Sequence, residues 1–140
     1  MKARPIILIE DDSDDKDILE EVLTELNLPN KIIWFKNCID ARQYLDTTTD
    51  SPFIIICDIN LPLQSGMEFK RQIDSNLEMR RKSIPFVFYS TSASQKLVNE
   101  AYMEFTVQGF FKKEYDFEQI KNHMRIIMTY WAICKHPNAT

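Results

Sequence analysis

Carboxylates, a hydroxyl and an ammonium each stand at or just after the end of a short apolar run in this sequence. They are Glu10-Asp11-Asp12 after Ile6–Ile9, Asp58 after Phe53–Cys57, Ser90 after Phe86–Tyr89, and Lys113 after Phe110–Phe111. Apolar runs this short, separated by helical stretches, indicate parallel strands that are buried on both faces. Because ligands bind beyond the carboxyl ends of the strands in an open α/β sheet, we expect these side chains to converge in one crevice.

The residue types at that crevice predict a metal site that can hold a phosphoryl group. Crowded carboxylates repel one another unless a divalent cation lies between them, and hard oxygen ligands suit Mg²⁺. A lysine and a hydroxyl beside a Mg²⁺-bound carboxylate can contact phosphoryl oxygens. Asp58 is central, because an ionised carboxylate that ends an apolar strand is costly unless it emerges into a polar site. A loop or helix cap is the alternative for Asp58, and Glu10 and Asp11 at the end of the first strand argue against it.

Strand-like and helix-like patterns alternate five times along the chain. The predicted strands cover residues 5–10, 31–35, 53–58, 85–90 and 109–112, and the predicted helices cover 14–26, 38–47, 66–76, 94–105 and 116–134. Five βα units joined by short loops predict one α/β domain over residues 1–140, with a parallel sheet and helices on both faces.

Composition excludes several other classes of protein. The net charge of −4 disfavours a nucleic-acid-binding surface, which is normally basic. We expect no membrane segment, because no apolar run approaches the roughly 20 residues that span a bilayer, and no signal peptide precedes the first strand. Three widely spaced cysteines without zinc-ligand spacing predict a reduced, cytoplasmic chain. With only Gly66 and Gly109, the chain has no glycine-rich phosphate loop.

Taken together, the motifs resemble those of response-regulator receiver domains over almost the whole chain. The matching stretches are Ile-Leu-Ile-Glu10-Asp11-Asp12, Cys-Asp58-Ile-Asn60-Leu-Pro62 with Gly66, Ile84-Pro85-Phe-Val-Phe-Tyr-Ser90, and Gly109-Phe110-Phe111-Lys112-Lys113. Each motif alone is modest, but all four in this order are specific, and the chain most resembles the stand-alone receivers. The resemblance implies a flavodoxin-like, doubly wound five-stranded parallel sheet of order 2-1-3-4-5, flanked by five helices.

The resemblance implies roles for the residues that match the phospho-acceptor and metal motifs. Asp58 would accept the phosphoryl group as an acyl phosphate. Asp11 and Asp58 would bind Mg²⁺ directly with the backbone carbonyl of Asn60, and Glu10 would act mainly through a metal-bound water. The side chains of Asn60 and Ser92 would tune the access of the water that hydrolyses the acyl phosphate.

The resemblance also assigns the remaining site residues. Ser90 would donate a hydrogen bond to one phosphoryl oxygen, and Lys113 would pair with another. Lys112 should point off the opposite face of the strand, because side chains alternate along a strand. Phe110 resembles the switch aromatic that fills the space that Ser90 leaves on activation, although a plain core phenylalanine is the alternative.

Two positions depart from the family pattern, and a third has a structural role. Glu114 follows Lys113 where relatives usually have a proline in a cis peptide; a cis bond before a non-proline residue costs about 3 kcal/mol, so a trans loop is favoured. Thr106 stands where many members carry glycine after the fourth predicted helix. Asp12, with Asp15 three residues later at a helix start, is typical of an N-cap rather than a metal ligand.

The implied function is a phosphorylation-controlled signalling switch. A histidine kinase or phosphotransfer protein would donate the phosphoryl group, and the domain would catalyse its own phosphorylation and dephosphorylation rather than act as an enzyme on other substrates. Because the chain ends soon after the last predicted helix, output is expected through protein contacts. That helix carries a second apolar row, Ile126, Tyr130 and Ile133, which is either covered by the tail or forms a partner face or a homodimer face.

Three rival functions fit the sequence less well. A Mg²⁺-dependent phosphohydrolase with an aspartyl-phosphate intermediate usually has a second carboxylate two residues after its nucleophile, where this chain has Asn60, and its nucleophile usually follows the first strand. A flavodoxin-like FMN carrier needs an anion-friendly loop after the first strand, where this chain has Glu10-Asp11-Asp12. A degenerate receiver that never accepts phosphate is the third, and Glu114 slightly favours it.

Overall fold

The structure is a computed structural model that describes residues 3–139. Its strands form one parallel sheet in the order β2-β1-β3-β4-β5, which confirms the predicted topology. The strands are β1 (Ile6–Ile9), β2 (Ile32–Phe35), β3 (Ile54–Cys57), β4 (Phe86–Ser90) and β5 (Gly109–Lys112). The helices are α1 (Ser13–Glu25), α2 (Cys38–Thr47), α3 (Gly66–Ser75), α4 (Leu77–Arg81), α5 (Gln95–Glu104) and α6 (Phe117–Ile133).

The prediction of five flanking helices is wrong, because α4 is a sixth helix among the described residues. Asn76 separates it from α3, and the Asn76 side chain accepts the backbone N–H of Met79 at 3.0 Å, which caps the new helix. A five-residue helix is too short to show a helical period in the sequence, so the pattern did not separate it from α3.

The core lies in two layers, one on each face of the sheet. The first layer joins one face to α2, α3 and α5, and its strand residues include Ile7, Ile9, Ile55, Cys57, Phe86 and Phe88. The second joins the other face to α1 and α6 through Ile6, Leu8, Ile54, Ile56, Val87 and Tyr89. Alternate residues of the same strands face opposite layers, so burial on both faces explains why these strands are continuous apolar runs.

The helices begin at side-chain caps that fix the loops after the strands. A serine, asparagine or aspartate accepts a backbone N–H of the first turn in each case: Asp12, Asn37, Ser65, Asn76, Ser94 and Asp116. Such caps satisfy donors that the helix itself leaves unpaired. Asp12 therefore has the capping role that its position predicts, with its side chain 2.9 Å from the Asp14 backbone nitrogen.

A buried lysine joins α3 to the loop before β5, at the edge of the sheet where the strands begin. Lys70 is 4% exposed, and its Nζ lies 2.9 Å from Asp74 and 3.2 Å from the Thr106 hydroxyl. Asp74 also accepts the Thr106 backbone N–H at 2.9 Å. Thr106, where many receiver domains carry glycine, therefore has a structural role. Its backbone N–H and its hydroxyl both donate to Asp74, whereas a glycine could donate only through its backbone.

The residues after α6 pack against the start of β3 and leave the second apolar row of α6 exposed. His136 Nε2 lies 2.7 Å from the Phe53 carbonyl oxygen, and Asn138 donates to the Pro52 carbonyl at 2.9 Å. The alternative in which the tail covers Ile126, Tyr130 and Ile133 does not hold for the described tail residues, since these three side chains are 54%, 59% and 80% exposed. Within residues 3–139, none of the helices has the length and apolar character that a membrane span requires.

Candidate functional site

The polar residues that end the strands meet at one edge of the sheet. Glu10 follows β1, Asp58 follows β3, Ser90 ends β4, and Lys113 follows β5. Backbone hydrogen bonds continue the sheet to these positions: the Asp58 N–H donates to the Ile9 carbonyl at 3.0 Å, and the Lys113 N–H donates to the Ser90 carbonyl at 2.9 Å. The strands therefore fix the backbone of the site before any side chain contributes.

Both oxygens of the Asp58 carboxylate are held by hydrogen bonds. Asp58 is 7% exposed, and its Oδ1 accepts the Ile59 backbone N–H at 2.6 Å while its Oδ2 accepts a hydrogen bond from Lys113 Nζ at 2.9 Å. Gly66 closes the following loop against it, because a Cβ at that position would lie 2.1 Å from the Asp58 carbonyl oxygen. One side of the Asp58 carboxylate is thus held by the backbone and the other by an ammonium.

Glu10, Asp11 and Asp58 form an acidic cluster in which one carboxylate oxygen of each residue lies within 4.8 Å of the other two. Glu10 is 3% exposed, and Trp34 Nε1 donates to its carbonyl at 2.6 Å, which fixes the backbone at the end of β1. Burial, together with repulsion from Asp58, raises the pKa of Glu10 to about 7, although the hydrogen bond from Lys113 opposes this rise. Three hard oxygen donors at this spacing suit Mg²⁺, so the residues present fit the expected ion.

Lys113 lies at the centre of the carboxylates. Its Nζ donates to Glu10, to Asp15 at 2.8 Å and to Asp58 at 2.9 Å. Burial alone would lower the pKa of Lys113, but the hydrogen bonds to these three carboxylates outweigh it and raise the pKa. Lys112 is exposed. The residues described include no cis peptide bond, so the peptide between Lys113 and Glu114 is trans.

Ser90 and the residues near it line the side of the site toward β4 and β5. Ser90 is fully buried, and its Oγ accepts the Ser92 backbone N–H at 3.2 Å. The exposed Asn60 donates through its side chain to the Ser92 hydroxyl, so the two predicted tuning residues are in contact. Phe110 is half-buried and packs against Phe88 with ring centroids 5.6 Å apart, on the face of the sheet that α5 covers.

Sequence reasoning missed two residues that contact the site. The sequence pattern predicts only a helix-cap role for Asp15, but its side chain binds Lys113. The pattern places Trp34 in an ordinary strand, but its indole binds the Glu10 backbone. The available signal for Asp15 was its position, because it is a further acidic residue in the first turn of the helix that follows Glu10-Asp11-Asp12. No signal in the sequence could have paired Trp34 with Glu10.

Comparisons with known proteins point to one family. The sequence profile described as response regulator receiver domain matches residues 6–125. Response regulator Rcp1 of Synechocystis sp. is 26% identical over 131 residues, which cover 90% of this chain and 87% of Rcp1. The structure of the phosphorylated cyanobacterial phytochrome response regulator RcpA gives a TM-score of 0.81 at 25% identity, over 98% of this chain and 96% of RcpA. The Mn²⁺-bound form of Rcp1 gives a TM-score of 0.82 over 98% of this chain and 100% of that one; at 24% identity this likeness concerns the fold alone.

Proposed function

Because the chain belongs to the family of response regulator receiver domains, and so to two-component signalling, we propose that Asp58 accepts a phosphoryl group from a histidine kinase or a phosphotransfer protein. One observation carries this proposal. Asp58 is a nearly buried carboxylate with an ammonium 2.9 Å away on one side and two further carboxylates within 4.8 Å. Similarity to RcpA, a response regulator whose structure is of the phosphorylated form, supports the same role.

The site residues divide the work between metal binding and charge neutralisation. Asp11 and Asp58 would bind Mg²⁺ directly, together with the Asn60 backbone carbonyl, and Glu10 would contact a metal-bound water. Bound Mg²⁺ supplies positive charge that offsets the negative charge of the transferring group. Lys113 supplies a further positive charge from the protein itself.

The reaction needs one bond to form and one to break. An Asp58 carboxylate oxygen attacks the phosphorus atom in line, a P–O bond forms, and the P–N bond to the donor histidine breaks. No separate general base is needed, because the carboxylate is itself the nucleophile. Ser90 and Lys113 then hold two phosphoryl oxygens, and hydrolysis by a water that Asn60 and Ser92 admit returns Asp58 to its free state.

The signal is proposed to leave the domain by packing. Ser90 lies at the end of β4, where its Oγ accepts the Ser92 backbone N–H and makes no hydrogen bond to Asp58 among the described residues, so we expect its hydroxyl to turn and donate to a phosphoryl oxygen. The Phe110 ring would then move into the space that Ser90 leaves and change the face formed by α5, β5 and α6. The proposed output is contact with another protein in the cytoplasm rather than with nucleic acid or a membrane.

A homodimer through α6 is the specific form of output that the sequence favours. Ile126, Tyr130 and Ile133 remain exposed on this helix, and Tyr130 is the residue type that often anchors an interface. We expect sedimentation to show a dimer that strengthens when beryllofluoride is added, because a contact made only in the activated state stabilises that state. A monomer at high concentration with and without beryllofluoride would remove this part of the proposal.

The central proposal is tested by intact-mass measurement after incubation with acetyl phosphate and Mg²⁺. The wild-type chain should gain one phosphoryl group, and the gain should disappear in EDTA and in Asp58→Asn. Asp46→Asn is a matched control, since it makes the same substitution at an exposed carboxylate that pairs with Arg42 on α2, outside the proposed site. Phosphorylation of Asp58→Asn at the wild-type level would refute the assignment of Asp58.

A further inference from the structure

Asp15 lies in the first turn of α1, where an acidic residue usually serves only the helix. Such a residue can interact favourably with the helix dipole or complete a capping box with the N-cap residue. In a capping box, the Asp15 side chain would accept the Asp12 backbone N–H. That N–H instead donates to Glu10 Oε2 at 3.3 Å, and the Asp15 carboxylate accepts from Lys113 Nζ at 2.8 Å. The capping box is therefore not formed, and Asp15 is directed to the site.

The Lys113 ammonium has three donors, and the structure assigns them to three different carboxylates. The acceptors are Glu10, Asp15 and Asp58. Glu10 and Asp58 belong to the acidic cluster that fits a metal ion, whereas Asp15 does not. In the proposed function, a phosphoryl oxygen replaces Asp58 as an acceptor of Lys113, and Glu10 turns toward a metal-bound water. Asp15 is the one partner of the three that has no other task.

We propose that Asp15 is a positioning residue for phosphoryl transfer, which holds the Lys113 ammonium in place while its other two partners change. This inference rests on the proposed function of Asp58. A lysine side chain is long and freely rotating, so its ammonium needs an acceptor of its own to stay aimed at one point. The backbone of Lys113 is fixed by the Ser90 carbonyl at 2.9 Å, but that bond does not fix the end of the side chain. A charge-assisted hydrogen bond to Asp15 does.

The negative charge of Asp15 also acts against the reaction, since it repels an incoming phosphoryl donor. The two effects lead to opposite expectations. A carboxylate that mainly repels the donor would slow phosphorylation, and its neutralisation would speed the reaction. A carboxylate that mainly aims Lys113 would speed phosphorylation, and its neutralisation would slow it. The 2.8 Å hydrogen bond favours the second, because a phosphoryl oxygen can replace Asp58 Oδ2 as an acceptor while the bond to Asp15 stays intact.

The test compares Asp15→Asn and Asp15→Glu with the matched control Asp14→Asn, whose carboxylate is exposed on the same helical turn. The readouts are the rate of phosphorylation by acetyl phosphate, beryllofluoride affinity and Mg²⁺ affinity. We expect Asp15→Asn to lower the phosphorylation rate roughly tenfold, the scale of a loosened positioning contact rather than a lost reacting group. Beryllofluoride affinity should fall with it, Mg²⁺ affinity should be unchanged, Asp15→Glu should recover part of the loss, and Asp14→Asn should match the wild type.

A double-mutant cycle separates aiming from a general structural effect. In a Lys113→Met background, Asp15→Asn should weaken beryllofluoride binding no further, because the partner that it positions is gone. Equal effects of Asp15→Asn with and without Lys113, or a rate that is unchanged or faster in Asp15→Asn, would overturn the proposal. If the wild-type chain gains no phosphoryl group at Asp58, the proposed function fails first. If it does and Asp15→Asn reacts equally fast, only the role of Asp15 fails.

Discussion

Among residues 3–139, two lysines are buried, Lys70 and Lys113, at opposite edges of the same sheet, and their surroundings differ in charge balance. Lys70 faces one carboxylate, Asp74, and its remaining contacts are the neutral Thr106 hydroxyl and the ring of Phe86, whose centroid is 4.9 Å from Nζ. Lys113 faces the carboxylates of Glu10, Asp15 and Asp58. The first group is neutral overall, and the second carries more negative charge than one ammonium can offset.

The pKa values of the two groups report this difference. Burial would raise the pKa of Asp74, but the Thr106 backbone N–H and Lys70 outweigh it and bring the pKa below its usual value. Burial lowers the pKa of Lys70, and Asp74 only partly opposes this. At the other edge, burial and neighbouring charge raise the pKa of Glu10 to about 7. A lowered carboxylate pKa, as at Asp74, indicates that the charged form is stabilised within a structural ion pair. A raised carboxylate pKa, as at Glu10, indicates surplus negative charge that a bound cation would offset.

Removing the ammonium of Lys113 should therefore change the phosphorylation rate, whereas removing that of Lys70 should not, and the largest effect is expected at Lys113. Lys113→Ala should slow phosphorylation by roughly 100-fold to 1,000-fold, as the loss of one group that stabilises transition-state charge does elsewhere. Lys70→Met should leave the rate near that of the wild type. Rates are measured by intact mass with acetyl phosphate and Mg²⁺.

Lys112→Ala is the matched control for this variant, because it removes an exposed lysine next to Lys113. A loss of rate in Lys112→Ala as large as that in Lys113→Ala would show that general surface charge, rather than the contact with Asp58, controls the reaction. A slow Lys70→Met variant with normal stability would remove the functional distinction between the two lysines.

The carboxylate of the structural pair should dominate stability. Asp74→Ala leaves the Lys70 ammonium buried without its counter-ion, which should lower the free energy of unfolding by about 3 kcal/mol. Asp46→Ala is the control, since Asp46 makes the same i,i+4 type of ion pair with Arg42 but its side chain is 47% exposed. It should unfold close to the wild type in urea, because exposed ion pairs contribute little.

A double variant tests whether the charge itself is the cause. Lys70→Met combined with Asp74→Leu should recover most of the stability that Asp74→Ala loses, because an apolar pair often replaces a buried ion pair without penalty. If the double variant is as unstable as Asp74→Ala, the lost contacts with Thr106 are responsible rather than the unpaired ammonium.

The two groups should also respond to pH with opposite signs. The folded-state pKa of Asp74 lies below the value of 3.8 for a free aspartate, so its contribution to stability is present above that value and is lost as the pH falls below it. The folded-state pKa of Glu10 is about 7, above the value of 4.5 for a free glutamate, so its contribution is present below 4.5 and is lost as the pH rises through 7.

Urea unfolding in EDTA at several pH values measures both signs. Glu10→Gln should gain stability relative to the wild type as the pH is raised from 5 to about 8, the range that brackets the raised pKa. Asp74→Asn should lose its disadvantage relative to the wild type below about pH 4, where the free carboxyl group becomes protonated. A stability difference between wild type and Glu10→Gln that is the same at both ends of the range would contradict the raised pKa of Glu10.

The difference between the two lysines also shows what could be predicted from the sequence. Asp58 and Lys113 stand at the ends of apolar runs, and the geometry of a parallel sheet alone places the ends of its strands together. The strand positions were predicted for a related reason, since burial on both faces leaves a continuous apolar run in the sequence. The strand order, in contrast, was implied by the resemblance to receiver domains. Features that depend only on backbone topology could therefore be derived.

Contacts between side chains of distant elements could not be derived in this way. Lys70 occupies a helix where lysine normally indicates an exposed face, and its partner Thr106 is 36 residues away. Asp15 has a plausible local role in its helix, and its contact with Lys113 depends on the rotation of α1 against β5. Periodicity specifies which face of a helix is buried, but not which polar group at the margin of that face finds a partner.

The smallest expected effect separates two neighbouring acids at the functional edge. Asp11 belongs to the acidic cluster, whereas Asp12 accepts the Asp14 backbone N–H and begins α1. Asp12→Ala should lower the free energy of unfolding by about 1 kcal/mol through loss of the cap and should leave Mg²⁺ affinity intact. Asp11→Ala should lose Mg²⁺ affinity, because it removes a proposed direct ligand. Its free energy of unfolding should not fall, because the substitution also relieves repulsion from Glu10 and Asp58.

Tryptophan fluorescence offers a measurement of the metal affinity of both variants, since the Trp34 indole binds the Glu10 carbonyl beside the cluster. Urea unfolding of the same samples in EDTA gives their stability. If the two variants lose Mg²⁺ affinity equally, the surplus of negative charge near Lys113 attracts the ion in a general way and Asp11 is not a specific ligand. If only Asp11→Ala loses affinity, the charge imbalance that distinguishes this edge from the Lys70 edge has a defined point of metal contact.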